Sequence, residues 1–184
     1  RGEFAEATGA LMSGLELARM HWNDGLIGVY GGDLEVVCAS TVANVLQIRG
    51  YPDQALVYVT EMLRKTHTTP MAAVDAFYGT ALFYQIRRDA ERVLEFAERS
   101  RALAIKYAMG EFIPMADAQR GWALSMQEQA AEGIPLIRGA VNLLRGAGAL
   151  LYVPYTLALL ADATRSAGDA EESRRSSMGA VDMA

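Results

Sequence analysis

Cysteine occurs once in the 184 residues, at Cys38, so no intrachain disulfide can form and no multi-cysteine metal site exists. A reducing, cytoplasmic compartment is the expectation. Lysine is nearly as scarce, present only at Lys65 and Lys106, and 17 basic against 22 acidic residues leave a formal net charge of -5. There is no basic surplus to displace counterions from a phosphate backbone, so nucleic acid is not an expected direct partner. Long apolar runs are missing too. The longest uncharged stretch, Gly146 to Ala161, has 16 residues and contains Pro154, whereas a spanning helix needs about 20 apolar residues; no membrane anchor is expected. The chain opens on Arg1 with neither a basic n-region nor an apolar h-region. It reads as a slice of a longer protein, whose chemistry would then lie elsewhere.

What is present is apolar character, 52% of residues, arranged with helical periodicity. Phe4, Ala7, Leu11, Leu15, Ala18 and Trp22 advance in steps of three and four and predict a leading helix over 3–22. Gly25, Gly28, Gly31 and Gly32 then predict a connector over 23–33. Ala39, Val42, Ala43 and Leu46 make one helical face, closed by Gly50 and Pro52, and Ala55, Leu56, Val59, Met62 and Leu63 make the next. The same helix, turn, helix pattern recurs, giving hairpins over about 34–68, 70–108, 112–147 and 152–182. No segment alternates with period two, so strands are not required.

The inter-helix turns fall at Gly50, Arg88, Glu128 and Gly168, which are 38, 40 and 40 residues apart. A fixed period of this size filled by helix, turn, helix predicts a stacked array of antiparallel hairpins, an all-α solenoid with a right-handed superhelical course, forming one repeat domain over 1–184. The competing architecture is a globular bundle of helices.

The stretch RGYPDQALVYVTEML, Arg49 to Leu63, resembles the second half of a tetratricopeptide repeat, with Gly50, Tyr51 and Ala55 at the turn and at the start of the second helix. A small residue there lets the helices approach and the aromatic fills the gap. RGWALS (Arg120 to Ser125), SAGDAEES (Ser166 to Ser173) and GEFAEA (Gly2 to Ala7) repeat parts of the pattern. YGGD, GYPDQAL, QIRRD, RGWALS and LALLAD together resemble the long-period repeat region near the C-terminus of bacterial multidomain regulators, of the cyclase–AAA ATPase–tetratricopeptide or LuxR-type class. The resemblance implies a protein-binding or regulatory role. The period near 40 departs from the 34 residues of the standard repeat, and the last helix carries Ser173, Arg174, Arg175, Ser176 and Ser177 where apolar residues are wanted, as in a solvated capping helix or a frayed end.

No catalytic constellation is visible. His21 and His67 lack a partner at metal-ligand spacing, Cys38 has no nearby histidine, and the glycines at 25–32 lack both a preceding strand and a Gly-Lys-Ser/Thr ending. Glu91, Glu95 and Glu98 share a helix face but are interleaved with Arg92, Arg99 and Arg101, as on an ion-paired surface. No cofactor, no metal and no enzymatic activity are expected within these residues.

In a stacked array the first helix of each hairpin lines the concave groove. The register then points inward Asn44 and Gln47, Asp75, Tyr78 and Gln85, Trp122 and Ser125, and Tyr155, Asp162 and Arg165. Trp122 and Tyr78 are the leading candidates for partner contact, because aromatics give large contact area at low entropy cost; the alternative for Trp122 is packing between repeats. Asn44 aligns with the asparagine some tetratricopeptide domains use to hold a peptide carboxylate, but the accompanying lysines are missing. Two functions follow: an interaction scaffold for other protein domains or a peptide, or a sensor whose groove binds a small effector. A homo-oligomer also stays open.

Overall fold

The computed structural model describes residues 3–20 and 32–183. The described residues are almost wholly helical: α1 (Phe4–Met20), α2 (Leu34–Ile48), α3 (Pro52–Arg64), α4 (Pro70–Ile86), α5 (Ala90–Lys106), α6 (Phe112–Met126), α7 (Ala130–Gly146), a 3₁₀ turn at Leu150–Tyr152, α8 (Val153–Ser166) and α9 (Ala170–Asp182). Strands are absent among the described residues. His21, Trp22 and most of the expected connector lie outside them. No helix is long and apolar enough to cross a membrane among the residues described.

Helix boundaries follow from local chemistry. The four expected turn residues, Gly50, Arg88, Glu128 and Gly168, all have positive φ, of 85°, 60°, 65° and 85°. Ala108 and Gly148, at 56° and 72°, do the same between hairpins, so from Arg88 onward a left-handed residue recurs every 20 positions. Five of the six close a helix by the same device: the amide of the following residue reaches back to the carbonyl five residues earlier, in Tyr51 to Leu46 (2.9 Å), Met109 to Ala104 (2.8 Å), Gln129 to Leu124 (2.9 Å), Ala149 to Leu144 (2.9 Å) and Asp169 to Thr164 (2.9 Å). The next helix then begins at once. Asp89 and Asp169 accept from the amides of Arg92 (3.2 Å) and Glu172 (2.9 Å), and Thr69 and Pro70 open α4 in the same way.

The chain forms two compact units, Arg1–Arg87 and Arg88–Ala184, with the boundary inside the second hairpin. In the first, α1 packs on α2, and α2 packs on both α3 and α4, which also touch each other. In the second, α6 packs on α5, α7 and α8, while α8 packs on α7 and α9. Within each unit, the substantial contacts among the described residues join helices adjacent or next but one in the chain. Small residues set the closest approaches. A Cβ on Gly121 would collide with the Gly133 carbonyl oxygen and one on Gly133 with that of Gly121, so α6 and α7 cross backbone to backbone. The same 12-residue offset joins Ala161 to Ser173, whose hydroxyl donates to the Ala161 carbonyl (2.8 Å), and relates Ala43 to Ala55, both with 0% exposure.

Candidate functional site

The expected groove residues divide between the two units. In the first, α2 carries Asn44 and Gln47, and α4 carries Asp75, Tyr78 and Gln85. Asn44 is only 8% exposed and its Oδ1 has no hydrogen-bond partner among the described residues. Gln47 is half-buried, with Oε1 3.5 Å from Arg87 Nη1, and that guanidinium also lies 5.5 Å from the Phe83 ring centroid. Tyr78 and Gln85 are half-buried as well. Asp75 has an architectural part: at 7% exposure its Oδ2 accepts from the amide of Asp33 (2.8 Å), while Asp33 Oδ1 caps α2 by accepting from Val36 (3.1 Å). Sequence reasoning missed this tie, since nothing in spacing links positions 33 and 75.

A second cluster in this unit was also unforeseen. Arg19 of α1 pairs with Glu61 (2.6 Å) and Glu35 (3.5 Å), and Lys65 pairs with Glu35 (2.6 Å), so one carboxylate gathers cations from two helices. Cys38 is half-buried, and burial pushes its thiol up rather than activating it.

In the second unit Trp122 is a correction to the expected lining. It is 0% exposed, so its truncation is a core deletion, not a silent surface change. Its indole Nε1 donates to Asp162 Oδ2 (2.8 Å). The same carboxylate accepts from Arg88 Nη1 (2.9 Å) and Arg165 Nη2 (2.5 Å), and the Arg88 guanidinium stands 5.7 Å from the Trp122 ring centroid. Arg88 can reach because its left-handed backbone turns it out of the α4–α5 connection. Burial by itself would push the Asp162 carboxyl up, but donation from Trp122, Arg165 and Arg88 outweighs it and holds the group below its ordinary range. At neutral pH Asp162 is therefore an ionised acceptor with no proton to give.

Ser125 is also turned inward, 5% exposed, its hydroxyl donating to the Gly121 carbonyl of its own helix (2.8 Å). The Tyr155 hydroxyl is buried, and burial raises its pKa well above the usual phenol value, with the nearby Gln119 side chain opposing the shift. Of the ten residues singled out, then, Gln47, Tyr78, Gln85, Asp162 and Arg165 are half-buried or exposed, while Asn44, Asp75, Trp122 and Ser125 are interior and Tyr155 turns its hydroxyl inward. Among the described residues, no group of three or more His, Cys, Asp or Glu is placed to hold a metal ion. Comparison with protein families, with curated proteins and with solved structures finds no match to this chain.

Proposed function

We propose that this chain is a non-catalytic interaction domain: a right-handed superhelical array of tetratricopeptide-like hairpins, serving as a regulatory scaffold in a bacterial multidomain signalling or transcription-regulating protein. The observation that carries the reading is the recurrence of left-handed turn residues at 20-residue intervals from Arg88 to Gly168, each followed by a new helix. One supersecondary unit is being reused, and such units bury their apolar stripes against neighbours while presenting a repeated surface. The close approaches at a 12-residue offset, Gly121 with Gly133 and Ala161 with Ser173, add support. Within the first unit Gln47 and Gln85 sit at equivalent places on their first helices and keep access to solvent, which suits a polar docking surface for a protein domain.

Hydrogen exchange tests the reading. It is measured on the 184 residues alone and joined to the remainder of the parent polypeptide. Slowed exchange on α2, α4, α6 and α8 supports it; identical exchange in both contexts sinks it.

The sensor reading keeps one specific observation, the buried Asn44 Oδ1 that lacks a hydrogen-bond donor among the described residues. A ligand donor reaching it would remove a desolvation cost of about 1 to 3 kcal/mol. A thermal-shift panel of metabolites and short peptides separates the two readings, since a ligand at 100 times its dissociation constant adds about 2.7 kcal/mol of stability. Silence across the panel leaves the scaffold.

A further inference from the structure

The second helices of the last two hairpins frame a groove that the expected first-helix lining does not include. Arg138, Asn142 and Arg145 follow one another on one side of α7, Arg175 and Gly179 line α9, and the groove encloses about 380 Å³. Val141 of α7 with Leu157 and Leu160 of α8 closes the floor, each 5–7% exposed. Gly179 contributes no side chain, and a Cβ there would come to 3.4 Å from Leu157 Cδ1, so the α9 wall is low at that point.

The charge of this groove is opposite to that of the molecule. The chain carries a net charge of -5, yet three guanidiniums line the groove against one carboxylate, Glu172. Arg138 is engaged by Glu172, with Nε donating to Oε1 at 2.8 Å and Nη2 to Oε2. Arg175 pairs with Glu171 at 2.9 Å, but both side chains are over 70% exposed, so that pair contributes little and yields readily. Arg145 has no ion pair among the described residues; its Nη2 lies 3.9 Å from the Met183 sulfur.

We infer that this groove binds an acidic peptide segment, carboxylates on Arg145 and Arg175 and an aliphatic side chain over Leu157 and Leu160. Guanidinium groups favour carboxylates because two parallel N–H donors match two oxygens. The apolar floor suits a side chain rather than a phosphodiester chain, and the acidic remainder of the molecule repels an extended polyanion. The residues involved are distinct from Gln47, Gln85 and Arg165, so this site and the first-helix surface succeed or fail independently.

Fluorescence anisotropy on the intact 184-residue chain tests it, with a labelled ten-residue peptide of alternating Glu and Leu, its Lys and Leu counterpart, and a single-stranded RNA of ten nucleotides. The acidic peptide binds and weakens as salt is raised. Arg145→Glu weakens it about tenfold, and Asn142→Glu and Arg145→Lys each weaken it by a smaller factor, the lysine keeping the charge but losing the two-pronged match. Both positions are exposed, so melting curves of these variants match the parent. Equal binding of the acidic and basic peptides, indifference to Arg145→Glu, or preference for RNA overturns the assignment.

Discussion

The first and second helices of the hairpins differ sharply although their lengths are alike. Helix α4 buries 11 of its 17 residues and α6 buries 11 of 15, whereas α5 and α7 each bury 5 of 17. A first helix is enclosed on most of its circumference and a second helix on one stripe. The difference teaches where polar residues acquire meaning. On α5 and α7 most are solvated and inexpensive, Ser100 being enclosed; on α2, α6 and α8 more of them are enclosed and need partners, as Trp122 and Asp162 have and as Asn44 Oδ1 lacks among the described residues.

The sharpest way to break that contrast is truncation. Trp122→Ala removes a fully buried ring and one of the three donors to Asp162, and is expected to cost about 3 to 5 kcal/mol by denaturant unfolding; Leu46→Ala, at 3% exposure on α2, is expected to cost about 2 to 5 kcal/mol. Val57→Ala on α3, where the side chain is 55% exposed, is expected to stay within about 0.5 kcal/mol of the parent. Equal losses at Trp122 and Val57 would erase the distinction.

Glycine substitutions on a single second helix come next. Gly133→Ala places a methyl against the Gly121 carbonyl and Ser125 hydroxyl and should lose about 1 to 3 kcal/mol. Gly139→Ala has open space around its Cβ and should gain up to about 1 kcal/mol from helix propensity. Opposite signs within α7 are the expected result.

Acid unfolding probes the Trp122–Asp162–Arg88 cluster. Because the folded-state pKa of Asp162 is lowered, its contribution to stability is present above the unfolded value of about 3.9 and is lost as pH falls through the lower folded value. Asp162→Asn should flatten that part of the stability profile below about pH 4, while the same change at exposed Asp53 leaves it intact.

The smallest effect concerns the turns. Glu128 is exposed and left-handed, so Glu128→Gly should gain about 0.5 to 1 kcal/mol by relieving the Cβ penalty. Arg88→Gly has the same backbone relief but loses the ties to Asp162 and Trp122, so it gains less or destabilises. Equal gains at both would show that the Arg88 side chain contributes nothing.

Much of this was legible in the chain. Turn residues, caps and the 40-residue spacing are local, and each turn lies where the pattern of apolar faces breaks. The groove positions were less legible for a definite reason. An amphipathic helix announces its outward face by polarity, but α6 is covered nearly all round, so polarity at Trp122 or Ser125 marks an enclosed polar group as readily as a surface. Trp122 and Asp162 lie 40 residues apart, the repeat length, which is the one signal that could have paired them.

The sequence by itself determined the helices, their ends and the reuse of one hairpin, because hydrogen bonding within a turn and apolar periodicity act over a few residues. Only the tertiary structure decided which polar side chains were enclosed, that Asp162 gathers an indole and two guanidiniums, and that Arg138, Arg145 and Arg175 come together on an acidic molecule. Those outcomes depend on which faces of distant helices meet, and burial, not residue type, then sets what each polar group costs or contributes.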